Sequence, residues 1–297
     1  MRILVTGAGG LLGSKIVLIA VNAGHDVYSA YREHEPPAGQ RIKMDTTIKD
    51  EVIDAVCKIK PEVIIHCAAL TNVDLCEERR DLAFMVNAEG TRFLAEAAEV
   101  SGSHFIYIST DYVFDGEKGM YKEDDKANPV NFYGFTKMLG ETYALKCRDH
   151  LIVRPSMIYG SSQAAGKVNF ALWLIENLKE GKEVKVLTDQ HLSPTLNTNL
   201  AYMVLESAEK GVKGILHAAG ATRASRFEFA VELARTFDLD ISLIKGVRME
   251  ELEWKARRPR DSSLDVSRAS RILKNKPMDL ISALKLLKKE IEVDLFS

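Results

Sequence analysis

Arg2-Ile-Leu-Val-Thr-Gly-Ala-Gly-Gly-Leu-Leu-Gly13 opens the chain, and the fold is decided there. Ile3–Thr6 reads as a short strand, a glycine turn follows, and the apolar run Leu11–Val21 continues as a helix. A strand that enters a helix in this way brings unpaired backbone N–H groups and the positive end of a helix dipole to one point, where a phosphate is well received. The glycines let the backbone approach a pyrophosphate closely. The spacing is Gly7-x-x-Gly10-x-x-Gly13, not the more general G-x-G-x-x-G, because position 12 is leucine. Three glycines alone also fit a turn that holds no ligand. Their place directly behind the first strand favours a dinucleotide site with contacts from Gly7, Gly10, Leu11 and Leu12.

Outward from this turn, β-rich runs alternate with helix-length segments. The runs are Ile3–Thr6, Asp26–Tyr31, Ile42–Met44, Val63–Cys67, Phe105–Ser109 and Leu151–Val153, and helices are expected near 11–23, 47–59, 79–101 and 133–147. The runs are continuously apolar, as strands buried on both faces should be. The alternation predicts an α/β fold, a Rossmann-like doubly wound parallel sheet. The second half is less regular, with helices expected near 167–180, 196–210 and 225–237, a strand at Ile215–His217, and polar helices after the basic stretch Lys255–Arg260. A boundary near Arg154–Pro155 divides residues 1–154, the dinucleotide-binding domain, from 155–297, a smaller mixed α/β substrate domain. Part of the latter, about 193–222, is expected to return to the first domain.

Composition excludes several classes. At 297 residues and 46% apolar content the chain can bury a sizeable core, and a net charge of −2 offers nothing to a nucleic acid or an anionic membrane. Glycines interrupt the apolar N-terminus, and no apolar stretch reaches the roughly 20 residues a bilayer requires. Cys57, Cys67, Cys76 and Cys147 form no C-x-x-C pair and are expected to be thiols in a reducing cytoplasm. No ligand cluster predicts a metal.

Cofactor choice is read behind the second strand. An acid there bonds a ribose 2′-hydroxyl, whereas an arginine accepts a 2′-phosphate. The strand ends Ala30-Tyr31-Arg32 with no acid at its tip, so Arg32 is expected to select NADPH over NADH, with Lys15 or His34 assisting. Arg32 as a solvated loop charge is the alternative. Asp45 and Thr46 follow the third strand, where Asp45 can accept from an adenine amino group, cap the next helix, or both.

Tyr133-Gly-Phe-Thr-Lys137 sets a phenol and an ammonium on one helix face. A free tyrosine, with a pKa of about 10, releases its proton reluctantly. A nearby lysine cation is expected to lower that pKa, and the tyrosine can protonate a carbonyl oxygen as hydride reaches the carbon. Ser109-Thr110-Asp111-Tyr112 ends the fifth strand, so Thr110 either donates to the substrate oxygen or caps a turn.

Together with His66-Cys-Ala-Ala-Leu-Thr-Asn-Val-Asp74, Val86-Asn87-Ala88, Ser109–Gly116, Asn128-Pro-Val-Asn-Phe-Tyr-Gly134, Thr136-Lys137-x-x-Gly140-Glu141, Ser193-Pro-Thr195 and Arg258–Asp265, these pieces resemble the dTDP-4-dehydrorhamnose reductase family, extended short-chain dehydrogenase/reductases. The resemblance spans nearly the whole chain, with its motifs in family order. It implies hydride transfer from NADPH to C4 of a 4-keto-6-deoxyhexose carried on dTDP, with Thr110, Tyr133 and Lys137 as the catalytic set. Ala68 and Ala69 would lie beside the cofactor, and Thr71, Val73, Asp111, Tyr112 and Met157 beside the substrate. Asn87 would shape the site or serve as a buried structural asparagine. Arg258 would reach a substrate phosphate or remain a surface charge. Members often dimerise, and a homodimer is one expectation here.

Met157 stands where the family often has tryptophan, which leaves the sugar and nucleotide open. A 4,6-dehydratase resembles the pattern Thr-Asp-Glu at the strand tip, but Tyr112 occupies the third place. A 4-epimerase would favour tightly held NAD. The non-catalytic alternative is an NADP-binding regulatory subunit similar to methionine adenosyltransferase β, which has no need of the Thr110–Tyr133–Lys137 set.

Overall fold

The computed structural model describes residues 1–162 and 168–294. In the first half, β1 (Arg2–Thr6), α1 (Gly13–Asn22), β2 (Asp26–Tyr31), β3 (Gln40–Lys43), α2 (Lys49–Ile59) and β4 (Val63–His66) follow one another. Next come α3 (Val73–Glu78), α4 (Arg80–Ala83), a π-helical turn (Phe84–Glu89), α5 (Gly90–Ser101), β5 (His104–Ile108), α6 (Phe132–Ala144) and β6 (His150–Arg154). The second half holds β7 (Ile158–Tyr159), α7 (Phe170–Lys179), β8 (Val184–Leu187), β9 (His191–Leu192), β10 (Thr195–Leu196), α8 (Asn197–Glu209) and β11 (Gly214–His217). It continues with β12 (Ala224–Ser225), α9 (Arg226–Thr236), β13 (Ile244–Val247), α10 (Ser267–Ile272) and α11 (Leu280–Asp294). Residue 167, the first of the helix expected near 167–180, lies outside the described residues.

Seven parallel strands form the central sheet in the order β11-β6-β5-β4-β1-β2-β3. The order reverses between β1 and β4, and in open α/β sheets the crevice at the carboxyl ends of such strands receives ligands. The apolar runs are continuous because alternate residues serve opposite layers. Ile3 and Val5 pack with Ile16 and Val17 of α1 and Leu200 and Met203 of α8. Leu4 and Ile64 pack with Val52 and Val56 of α2 and Leu94 and Ala98 of α5. The run expected at Ile42–Met44 is instead the edge strand β3, and its pattern is largely exposed.

The helix expected over 79–101 is broken into α4, the π-turn and α5. Single π-turns inside helices often mark functional sites, and this one carries Asn87. In the second half, α8, β11 and α10 join the layer built on α1, with Leu216 and Ala269 in the same core cluster. A separate core of Tyr159, Leu174, Phe229, Leu233, Leu284 and Leu287 forms the smaller lobe. The two-stranded pairs β7–β10, β9–β12 and β8–β13 were not legible in the sequence, because strands of two to four residues carry little periodicity. Among the described residues no helix is long and apolar enough to cross a membrane.

Helix α6 is fastened to the sheet by a buried ion pair. Glu141 accepts from Arg154 Nε at 2.8 Å and Nη2 at 2.7 Å, and from the Ser109 hydroxyl at 2.6 Å. Arg154 also lies over the Phe114 ring at 5.0 Å. Removing one member of such a pair strands the other charge. Arg154→Met is therefore expected to destabilise the fold by about 3–5 kcal/mol, read as a lower urea midpoint, and adding Glu141→Leu should restore much of the loss. An unchanged midpoint in Arg154→Met would show that the pair does not hold α6.

Candidate active site

The glycine turn is tight because three segments converge on it. Gly7 has φ +64°, and a Cβ there would stand 2.6 Å from Ala68 N. A Cβ on Gly9 would stand 2.1 Å from the His34 carbonyl oxygen. The ends of β1, β2 and β4 thus enclose a cavity of about 230 Å³. Gly7, Gly10, Arg32, Asp45, Thr46, Ala68 and Ala69 all line it, as does His34. Leu11 and Leu12 line a second, adjoining cavity, which shares Gly7, Gly10 and Ala69 with the first. A cradle that admits no side chain at Gly7 or Gly9, next to a helix N-terminus, fits the pyrophosphate of a dinucleotide.

Two expectations at this end need correction. Lys15 is not at the cavity, since its ammonium bonds Glu290 at 3.3 Å. An acid does stand behind β2: Glu33 lines the cavity and pairs with Arg32 at 2.7 Å. Arg32 is 52% exposed and lies 4.0 Å from Asp45, so it is an exposed surface cation between two carboxylates. Asp45 accepts from Thr47 N at 2.9 Å and Thr47 Oγ1 at 2.7 Å, a turn of its own, while Ile48 is the N-cap of α2.

Behind the Ala68–Leu70 loop runs a buried polar chain. Asn87 Oδ1 accepts from Leu70 N at 2.7 Å, and its Nδ2 donates to Leu70 O and Thr136 Oγ1, both at 3.1 Å. The π-turn aims this side chain at the loop, and both backbone groups of Leu70 are satisfied by one amide. His66 bridges Thr6 at 2.7 Å and Thr91 at 3.1 Å, and burial, then the charge of Lys137, lowers its pKa to about 3. It is a neutral structural imidazole.

The second cavity, about 460 Å³, holds Thr110, Tyr133 and Lys137 together. Asn131 caps α6 by accepting from Gly134 N at 2.8 Å, which sets the first turn carrying Tyr133. Lys137 donates to the Ile108 carbonyl at 2.8 Å and lies 4.3 Å from the Tyr107 ring centroid. Burial lowers its pKa to about 7. Burial raises that of Tyr133, against a smaller lowering by the Thr110 hydroxyl. The expected lowering of the tyrosine by the lysine is therefore not what the protein by itself shows: desolvation of the phenolate dominates, and the group that lowers the pKa is the Thr110 hydroxyl. Tyr133 is a held proton, suited to donation. Thr110 caps the turn that follows β5, accepting from Tyr112 N at 3.2 Å, and donates to Asp111 Oδ1 at 3.1 Å.

Thr71, Val73, Asp111, Tyr112 and Met157 also line this cavity. Asp111 accepts from Ser156 at 2.8 Å and Ser262 at 2.6 Å, and burial raises its pKa. Met157 has φ +33°, an uncommon backbone conformation for a side chain of its kind. Arg258 does not line either cavity: its guanidinium pairs with Asp74 at 2.9 Å and lies over Trp254. Sequence reasoning missed Arg226, Asn169 and Leu192, which do line the second cavity. The Ser225-x-x-Glu228 capping box marked the start of α9, but nothing local showed which surface Arg226 would face. Among the described residues no group of three or more His, Cys, Asp or Glu could hold a metal ion.

The RmlD substrate binding domain family matches residues 1–292. The crystal structure of a hypothetical dTDP-4-dehydrorhamnose reductase from Sulfolobus tokodaii is 41% identical and superposes with a TM-score of 0.86, covering 94% of this chain and 98% of that one. The dTDP-4-dehydrorhamnose reductase of Bacillus anthracis str. Ames, in complex with NADP, is 31% identical with a TM-score of 0.88, covering 97% and 99%. Methionine adenosyltransferase 2 subunit beta of Bos taurus is 31% identical over 274 residues, 90% of this chain and 81% of that protein.

Lys137 in the protein without ligands should titrate near pH 7, charged below and neutral above. NMR of lysine labelled at Cε reads this directly, and a midpoint in the ordinary range of about 10 would refute it. Since the unfolded chain then keeps the proton to higher pH, stability should rise with pH above about 7 on this account.

Proposed function

The chain belongs to the RmlD substrate binding domain family, and on that premise we propose that it is an NADPH-dependent reductase of the 4-keto group of a nucleotide-linked 6-deoxyhexose, in the simplest case dTDP-4-dehydrorhamnose giving dTDP-rhamnose. The observation that carries the reading is the second cavity, where Thr110, Tyr133 and Lys137 face a space continuous with the glycine turn. The four cysteine thiols accord with a reducing compartment such as the cytoplasm.

The reduced nicotinamide supplies a hydride to the carbonyl carbon. The chain's own residues manage the oxygen. Tyr133 keeps its proton until the carbonyl oxygen becomes basic, then donates it. Lys137, anchored on Ile108 O, supplies a cation that makes the resulting phenolate less costly. Thr110 Oγ1, freed from Asp111, donates a second hydrogen bond to the same oxygen. Solvent returns the proton to Tyr133. At the other end, Arg32 would hold the 2′-phosphate of NADPH in exchange for its pairing with Glu33, in keeping with the NADP bound by the Bacillus anthracis relative.

The reading is tested by NADPH oxidation with dTDP-4-dehydrorhamnose and no other protein present. Tyr133→Phe should lower kcat by about 10²–10⁴-fold and leave NADPH binding intact; full activity in that variant would end the mechanism. No oxidation by wild-type protein that still binds NADPH would favour the regulatory alternative. Arg32→Ala should weaken NADPH by about tenfold and NADH hardly at all, and an equal effect on both would remove the 2′-phosphate from Arg32.

A further inference from the structure

We propose that Arg226 binds the diphosphate of the nucleotide-linked substrate and sets how the sugar enters the catalytic cavity, an inference that rests on the reductase reading above. A sugar nucleotide carries its charge on the diphosphate, so the cavity needs a cation away from the reacting carbonyl. Among the described residues lining it, two are cationic, Lys137 and Arg226. Lys137 is spent on the Ile108 carbonyl beside Tyr133. Arg226 stands on α9 of the smaller lobe, with Met157 and Leu192 for neighbours in the lining.

Four arginines around the lobe junction already hold a carboxylate. Arg154 pairs with Glu141, Arg223 with Asp261, Arg258 with Asp74, and Arg260 with Asp189. Arg226 has no carboxylate partner among the described residues. Asp111, the carboxyl in the same lining, is engaged by Thr110, Ser156 and Ser262. Among the described residues, the contacts of Arg226 are with neutral groups. Its Nε donates to Gln190 Oε1 at 2.5 Å, its backbone N–H donates to Gln190 O at 3.1 Å, and the guanidinium lies over the Phe170 ring at 5.0 Å. Nη1 reaches the Met157 sulfur at 3.4 Å, a weak acceptor that an anionic oxygen would displace.

This is a preorganised fork. Gln190 is itself fixed, donating to Tyr112 Oη at 3.3 Å and Pro259 O at 3.4 Å. The orientation of Arg226 is thus settled before a ligand arrives, and both terminal nitrogens remain for bidentate contact with phosphate oxygens. Tyr112 in turn packs edge-on to Tyr133 at 6.0 Å, so the anion site and the proton donor share one rigid wall. Arg258, the sequence's candidate for the same task, is committed to Asp74.

The test is calorimetric titration of dTDP, and separately UDP, into protein saturated with NADPH, so that the cofactor's own pyrophosphate site is filled. Wild type should bind at least one of them, and Arg226→Ala should lose at least about tenfold in affinity, with NADPH affinity unchanged as the sign of an intact fold. Arg226→Lys, which keeps the charge without the fork, should fall between the two and decides the matter if the alanine variant does not fold. With dTDP-4-dehydrorhamnose, KM should rise by a similar factor at nearly constant kcat. Undiminished nucleotide binding by Arg226→Ala, or a loss confined to kcat, overturns the role of Arg226 and leaves the reductase reading standing. A wild-type protein that holds NADPH yet binds neither dTDP nor UDP overturns both.

Discussion

Everything at this site depends on how α6 is held against the ends of β5 and β6. Tyr133, Lys137 and Glu141 succeed one another at four-residue intervals and so share a helix face. Glu141 grips Arg154 from β6 and Ser109 from the end of β5, and Lys137 reaches Ile108 one residue earlier. A buried ion pair adds little net stability, because desolvation offsets its attraction. What it contributes here is register. A helix displaced by one turn would leave a carboxylate or a guanidinium buried without a partner, so the phenol of Tyr133 and the hydroxyl of Thr110 are kept at one cavity.

The floor beneath that cavity is polar and comes from distant parts of the chain. Asp111 is gripped by Ser156 and Ser262; Ser156 accepts from Ser193 N at 3.1 Å, and Ser193 accepts from Leu264 N at 3.1 Å. The Ser193–Thr195 and Arg258–Asp265 motifs thus act largely by holding the strand-tip turn that bears Thr110. A low-dielectric network of this kind is rigid only when each member is satisfied. On the opposite side, Asn87 performs a like task for the loop beside the glycine turn, and it can do so because the π-turn disturbs the helix at that point.

Charge is distributed unevenly between the two cavities. At the β2 end, Arg32 shares its surroundings with Glu33 and Asp45, an exposed arrangement that a bound phosphate can rearrange at small cost. At the lobe end, the contacts of Arg226 among the described residues are all with neutral groups. The first arrangement suits a cofactor exchanged in each cycle, the second a fixed receptor for an anion.

Much of the fold was legible because its cues are local. The glycine turn, the continuous strands and the Tyr133–Lys137 spacing each depend on residues within a few turns of one another, and local geometry determines which side chains share a strand tip or a helix face. The edge position of β3 and the break at the π-turn were not legible, since each follows from what packs alongside. The same holds for the charges. Whether Arg258, Lys15, Arg32 or Arg226 is available to a ligand depends on where Asp74, Glu290 and Glu33 end up. Two of these acids lie more than a hundred residues away along the chain from the bases they neutralise, and the third, though adjacent, can turn either way. The sequence by itself determined the parallel α/β sheet and its catalytic helix; only the tertiary structure decided which cations remain unpaired, because ion pairing depends on distance in space.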